Sequence, residues 1–375
     1  MKKSTLVLAV AAALTGFGSV AVADTTLYGS ARVSIDYVDI DKPAGFLSDS
    51  IDYWDVFNDS SRLGVRGEED LGGGLSAIYQ YEFGVDLTDG GNFNSNRPKW
   101  VGLKGGFGAV TLGTQWSAYY NVTGVADIFN SSRTFATDTG YLGGQYGHRL
   151  DNTVLYTSPN MSGFTAQAML VMNGVQNDGR TPDVSDGVDL WQVAGVYSNG
   201  PFYAGAAFMQ LQDFDNNAVF DSDNRQGWAV VGAYKPGPFT IGLLYEGGDL
   251  NNISLSGVNP LDGRDTWARI GDVEDTNNYY LFGSYKFGNN EIKAAYVYTD
   301  PDGKYGLVRA NGTVRPGTEQ SFDTIQNLLL GYQYNFSKRT RVWIEYLGRQ
   351  DDNDGALNTI KGDQNIVSIG TRHDF

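Results

Sequence analysis

The 375-residue sequence contains no cysteine, two histidines and, beyond its first residues, no long apolar run. Without cysteine there are no disulfides, no lipid-modified N-terminal Cys and no thiolate metal ligands. His148 and His373 are far apart in the chain and too few for a His-rich metal site. A Ser-His-Asp triad would have to recruit one of them, and no Gly-x-Ser-x-Gly elbow surrounds any serine. No phosphate-binding Gly-Lys-Ser/Thr motif is present. Asp351-Asp352-Asn353-Asp354-Gly355 superficially suggests a calcium loop. Aligned on Gly355, however, the first position is Gln350 and the twelfth is Lys361, so the EF-hand pattern fails. Basic residues are few, 27 against 43 acids, and a net charge of −16 is a poor match for nucleic acid, whose phosphates demand Lys and Arg. These absences leave no enzyme chemistry and no cofactor to expect.

What is present divides into a short leader and one long pattern. Lys2 and Lys3 make a basic start, Thr5 to Leu14 are nearly all apolar, and Ala21-Val22-Ala23 offers the small-x-small cleavage signature of a secretory signal. The apolar run is too short to span a bilayer as a helix. The expected domains are therefore a signal peptide, 1–23, and a mature chain, 24–375, whose charge falls to −18 once Lys2 and Lys3 are lost. The chain holds 23 Tyr, 19 Phe, 7 Trp and 49 Gly, yet its mean hydropathy is −0.30. Aromatic-rich, Gly-rich and hydrophilic on average suits a barrel with apolar residues facing lipid and polar residues lining a wet interior.

The pattern itself is alternation. Leu328, Leu330, Tyr332, Tyr334 and Phe336 share one face while Gly331, Gln333 and Asn335 share the other. Thr340, Val342, Ile344 and Tyr346 alternate with Arg341, Trp343 and Glu345. Period two with aromatic enrichment means half-buried strands. The connectors come in two sizes. Short ones such as 70–74, 105–108, 199–201, 235–238 and 287–290 carry Gly, Asn and Pro, as tight hairpins require. Long ones lie near 39–54, 87–95, 117–149, 173–186, 214–223, 249–274, 300–320 and 350–362. Seven short turns and eight long loops join sixteen strands, the rhythm of an outer-membrane barrel with its long loops outside the cell. Sixteen strands leave an aqueous channel. Acidic residues concentrate in the long loops, at the expected outer mouth, and this field leads us to expect cation preference.

Several segments resemble the general porin family of Gram-negative outer membranes. The ending Val367 to Phe375 alternates and closes on Phe, similar to the terminal aromatic that serves these porins as an assembly signal. Thr26-Leu27-Tyr28-Gly29 resembles the family's first strand, Ser61 to Gly72 its second strand and turn, Trp100 to Gly108 its fourth, and Asn152 to Pro159 the strand after its constriction loop. The resemblance implies an all-β, 16-stranded antiparallel transmembrane barrel with an inward-folded third loop. It also implies a homotrimer in contact with outer-membrane lipid and lipopolysaccharide, inserted by the barrel-assembly machinery, that passes small hydrophilic solutes and ions.

Facing then nominates residues. With Ala31, Val33, Ile35 and Tyr37 outward, Arg32 points inward; with Leu63 and Val65 outward, so do Arg62 and Arg66; with Trp100 outward, so do Arg97 and Lys99. Charge on the lipid face is costly at mid-membrane, which favours these placements. In the resembled family an arginine cluster forms the basic wall of the constriction. Arg62 and Arg97 match it directly, and Arg32 is shifted two residues from the matching Ser30. The long connector 117–149 is expected to fold into the lumen, where Asp127 matches the family's first loop acid. The second acid finds only Asn130 and Ser131, and Asp138 is its substitute. The alternatives are an oligosaccharide-specific porin, for which Tyr280, Phe282 and Trp343 are the inward aromatic candidates, a phosphate-specific porin, for which no lysine-rich constriction is evident, or a surface-loop adhesin or enzyme on a barrel scaffold.

Overall fold

The computed structural model describes residues 24–41, 50–90, 93, 97–134, 148–172, 187–211, 225–248, 253–254, 268–308, 320–351 and 363–375. The leader 1–23 and Asp138 lie outside these residues. The described chain forms a closed antiparallel barrel of sixteen strands. They are β1 (Asp24–Asp41), β2 (Ser50–Asn58 continued by Arg62–Gly72), β3 (Leu75–Gly84), β4 (Lys99–Gly105), β5 (Gly108–Trp116), β6 (Arg149–Thr157), β7 (Phe164–Val171) and β8 (Leu190–Asn199). The second half comprises β9 (Phe202–Leu211), β10 (Arg225–Tyr234), β11 (Phe239–Gly248), β12 (Ala268–Phe287), β13 (Asn290–Val308), β14 (Ile325–Asn335), β15 (Thr340–Asp351) and β16 (Gln364–Asp374). Two-residue strands at Ile253–Ser254 and Gln320–Ser321 pair with β12 and β13.

Closure rests on β1, which pairs with β16 over Ser30 to Ile40 on one edge and with both pieces of β2 on the other. In lipid no water can satisfy an open edge, so the ladder must run all the way round. The last residue completes it: Gly29 N–H donates to the Phe375 carbonyl at 3.0 Å and Phe375 N–H returns the bond at 3.1 Å. Gly29 suits this seam, because a Cβ would press on both the Phe375 ring and the Arg62 backbone carbonyl.

Alternation sorts side chains as period two dictates. Leu27, Ile35, Val56, Val101, Leu112, Ile241, Leu281, Leu330 and Ile344 all present more than a third of their surface outward. Ser30, Ser34, Asp36, Glu82, Gln192, Glu246, Asn278 and Glu345 are buried on the inner face. Two expectations change. Val101 and Leu103 are exposed and Lys99 pairs with the outward Tyr81, so Trp100, opposite Gln80, faces inward and Lys99 faces out. Lys99 keeps its ammonium near a ring face, 5.0 Å from Phe83. Arg97 is nevertheless inward, because it precedes Pro98 and the strand and so escapes strand parity. The connectors near 249–274 and 300–320 are also shorter than expected. β12 and β13 run 20 and 19 residues and pair up to Ala268 and Val308, past a bulge between Val273 and Asp275. At about 3.3 Å per residue this hairpin far exceeds an apolar band of about 25 Å. Its upper part need not be apolar, and its Asp-Pro-Asp-Gly stretch reads as a loop.

The third loop crosses the lumen. Ser117 Oγ caps a six-residue helix, α1 (Ala118–Thr123), by accepting from Tyr120 N–H at 3.0 Å. α1 packs on β8, β9 and β10, burying Ala118, Tyr119 and Val122. It sits against the bare backbone of Gly205, where a Cβ would come within 2.6 Å of Val122. Gln192 accepts from Tyr119 N–H, Tyr119 Oη donates to Glu246 at 2.9 Å, and Tyr203 Oη donates to the Val122 carbonyl at 2.8 Å. After a 3-10 turn at Gly124–Ala126 the chain reaches the opposite wall. There Phe129 lies over Gly331, and both oxygens of Glu345 accept backbone N–H bonds from Asn130 and Ser131 at 2.8–2.9 Å. Asn130 Nδ2 donates to Glu345 and to Gln333, while Lys293 stands 3.7 Å from Glu345. Ser132 N–H donates to Asp59 at 2.8 Å, and Arg133 pairs with Asp36 at 2.8 Å and with Asp55 while its guanidinium stacks 3.9 Å over Phe57. Asp59 can reach the loop because β2 is interrupted at 59–61, where Ser60 adopts φ +67° and Ser61 Oγ bonds the backbone of Arg32 in place of the ladder.

Two predictions follow from these contacts. Gly29→Val will displace the Phe375 ring and cost about 1–3 kcal/mol of overpacking, read as a lower unfolding midpoint of the refolded barrel and less heat-resistant folded species on gels. Glu345→Ala strips the acceptor from two buried N–H groups and leaves Lys293 with Gln333 but no carboxylate. It should loosen the loop, raising single-channel conductance and open-channel noise; a conductance equal to the unsubstituted protein's would show that the loop does not depend on this clamp.

Candidate pore constriction

The inner wall of β1–β3, β6 and β16 gathers arginines. Arg62 reaches Glu82 at 4.0 Å, and Arg97 lies 3.5 Å from the other Glu82 oxygen. Arg97 also donates to the Ser60 carbonyl at 2.9 Å and is only 5% exposed, so it supports Glu82 and the break in β2 from behind. Tyr28 Oη donates to Glu82 at 3.0 Å and receives Gln80 Nε2 at 2.7 Å. Arg32 donates from Nε to Ser30 Oγ at 3.0 Å and has no ion pair among the described residues. Arg149, first residue of β6, lies 4.7 Å over the Trp116 ring, which stacks on Tyr120 at 4.7 Å. Arg372 bonds Asp374 at 2.7 Å. These cations feel one another: Arg32 is repelled by Arg62, Arg372 and Arg97, and Arg97 by Arg149 and Arg62.

Facing them, the loop presents Asp127. Its carboxylate accepts from Tyr120 Oη at 3.1 Å and is attracted by Arg32. The surrounding wall strips water from this carboxyl and pushes it up to about 7, against the Tyr120 hydrogen bond and Arg32. Asp127 is nonetheless exposed to the lumen. Lumen water restores part of that hydration, so we treat Asp127 as ionised at pH 8, titrating just below neutral and protonated by pH 5. His148, shielded by its surroundings and beside Arg149, is held down to about 4 and stays neutral.

The nominated residues separate accordingly. Arg32, Arg62 and Arg97 come together, with Asp127 across from them. Arg66 does not join them: it is two inward positions nearer the turn on β2, exposed, with its guanidinium 5.2 Å over the Tyr28 ring. Asn130 and Ser131 stand where the resembled family has its second loop acid, and their N–H groups bind a wall carboxylate, Glu345. The polarity of that contact is reversed, with the loop donating and the wall accepting. Tyr280, Phe282 and Trp343 do face inward, but all three are at most 2% exposed and pack rather than line open space. Glu82, Arg149, Arg372 and Glu345 were not nominated. Glu82 was within reach, since Tyr79, Tyr81 and Phe83 outward put Gln80 and Glu82 inside. Arg149 was not, because the register slips between Gly113 and Gln115 just before its strand pairing. Among the described residues no three His, Asp or Glu side chains come together as a metal site.

Comparison with known proteins agrees with this architecture. The profile of the Gram-negative porin family matches residues 8–356. Outer membrane porin protein 32 of Delftia acidovorans is 28% identical over 402 residues, covering 100% of both chains. Major outer membrane protein P.IB of Neisseria gonorrhoeae is 26% identical over 384 residues, again covering 100% of both. Among solved structures, the anion-selective porin from Comamonas acidovorans superposes with a TM-score of 0.69 at 24% identity, covering 94% of this chain and 100% of that one. With the closed barrel, the loop across its lumen and a matched profile over nearly its whole length, the chain belongs to the Gram-negative porin family and lies in the outer membrane as a multi-pass β-barrel.

Proposed function

We propose that the protein is a passive diffusion channel for small hydrophilic solutes and ions whose narrowest section lies between the arginine wall and Asp127, and that this section favours anions. The carrying observation is the imbalance across the lumen. Glu82, Glu345 and Asp374 are each engaged by a cation. Arg32 and Arg149 have no ion pair among the described residues, and Asp127 is the one carboxylate of the described loop residues that faces them. The solved structure that superposes at a TM-score of 0.69 is described as anion-selective, which points the same way. In this reading residues 1–23 direct export, Phe375 is the assembly signal read by the barrel-assembly machinery, and outer-membrane lipid and lipopolysaccharide surround the barrel. A homotrimer is the proposed assembly.

Cation preference, the expectation raised by the acidic outer loops, is the second reading. The two fields differ in salt response. Charges at the mouth are screened beyond about 10 Å at 0.1 M salt, whereas the constriction acts at contact range. Reversal potentials under KCl gradients from low to high salt decide between them. Anion preference that persists at high salt supports the constriction; cation preference throughout overturns it. Removing one guanidinium about 8 Å from the ion path changes each ion's energy by about 0.5 kcal/mol in a water-like medium, with opposite sign for anion and cation, so Arg62→Gln and Arg32→Gln should each shift the permeability ratio about fivefold toward cations.

The pH dependence has a definite sign. Because the Asp127 carboxyl is pushed up toward 7, lowering the pH from 8 to 5 neutralises it while the guanidinia keep their charge. Anion preference should therefore rise as pH falls, and Asp127→Asn should have the low-pH ratio at every pH. A wild-type ratio flat between pH 5 and 8 would remove Asp127 from the selectivity element.

A further inference from the structure

Arg32 on β1 and Arg341 on β15 both lie directly opposite Arg372 on β16 in the strand register. Three inward guanidinia thus stand side by side on three adjacent strands. Like charges directly opposite one another weaken a sheet, so this row is a cost that an apolar or neutral polar choice would have avoided. One carboxylate serves the row: Asp374 takes Arg372 Nε at 2.7 and 2.9 Å on its two oxygens and Arg341 Nη2 at 3.1 Å. Arg32 is held by Ser30 through Nε. That leaves the terminal Nη groups of Arg32 and Arg372 without a hydrogen-bond partner among the described residues. Arg62, close by, adds to the repulsion. The side chains of Arg341 and Arg372 are 22% and 20% exposed, so the row is reachable from the lumen. It lies toward the short-turn mouth, since Arg341 is the second residue of β15 and Arg372 is three residues from the chain end.

Resting on the pore reading above, we propose that Arg32, Arg372 and Arg341 form a binding site for a doubly charged oxyanion, the phosphate group of a small solute or inorganic phosphate. Three guanidinia against one carboxylate leave two positive charges, the complement of a phosphate carrying about −1.5 to −2 at pH 7. The guanidinium fork matches phosphate oxygens pairwise, and an anion with several oxygens can bridge neighbouring arginines where chloride cannot. Asp374 holds Arg372 and Arg341 by one edge each, which orients their remaining N–H groups into the lumen. The site shares Arg32 with the constriction wall and extends from it toward the short turns through Arg372 and Arg341, while Arg62 and Arg97 are engaged around Glu82. It would act as a resting point for phosphorylated solutes on the short-turn side of the constriction.

The test uses the full-length refolded protein in planar bilayers at pH 7.5 in KCl, with potassium phosphate added at constant ionic strength on the short-turn side. Saturable, millimolar reduction of the chloride current is expected, weakened at least tenfold in Arg372→Gln and in Arg341→Gln. Lys235→Gln, at the same mouth but on the opposite wall, should retain it. In parallel, phosphate should raise the thermal unfolding midpoint above that in chloride of equal ionic strength for the unsubstituted protein and not for Arg372→Gln. A barrel that conducts chloride normally with no phosphate-dependent reduction, or one reduced equally in all variants, overturns the site and leaves the pore reading intact. A barrel that does not conduct overturns the pore reading, and the midpoint comparison then decides the site alone.

Discussion

The ladder between the first and last strands is the constraint on which the molecule depends. In lipid an unpaired N–H or carbonyl costs several kcal/mol, so β1 and β16 must find each other, and Gly29 and Phe375 must close the seam. Closure makes the wall one residue thick. Every side chain then belongs either to lipid or to lumen, with no third place to hide a charge. The arginines of β1, β2, β15 and β16 crowd together because their positions share the inner parity on adjacent strands. What would be a scattered set in sequence becomes a basic wall once the sheet is rolled.

The third loop answers the wall. Its helix lies on apolar and polar groups of β8–β10, and its far end is clamped by Glu345, Asp59, Asp36 and Asp55. The clamp uses the loop's backbone N–H groups and a single arginine, which leaves Asp127, among the described residues, as the loop's own charge toward the pore. A conventional second loop acid would have to share that stretch with Glu345, a like charge. Asn130 and Ser131 avoid the repulsion and supply donors instead. On the proposed reading the transverse field is built asymmetrically, with several cations on one side and, among the described loop residues, one carboxylate, sensitive to protonation, on the other.

Much of this is legible in the residue pattern because period two is written into every strand. The strand number, the tight turns, the inward positions of Arg32 and Arg62, and the apolar outer face all read directly from alternation. The pattern fails where the backbone leaves the ladder. Arg97 sits before a proline, and counting parity back from Trp100 gave the right side for the wrong reason and misplaced Lys99. Arg149 follows a register slip. The upper halves of β12 and β13 carry Asp, Pro and Gly because they have left lipid, so they look like loop although they pair as strand. Arg66 shows a different limit: parity places it in the lumen but says nothing of depth, and depth separates it from the cluster. Long-range clamps such as Glu345 with Asn130, more than two hundred residues apart, have no local signature.

The crossing of the lumen by residues 118–134 has a further consequence for what the molecule can sieve. A round pore admits solutes according to their largest cross-section. A chord fixed at both ends cuts the circle into a flattened opening with one stiff edge and one edge of movable arginine tips. Such an aperture discriminates by thickness rather than by girth, passing a plate edgewise where a sphere of equal volume stops. Strand number then sets how much barrel surrounds the water, while the exclusion limit is decided by where the chord is tied.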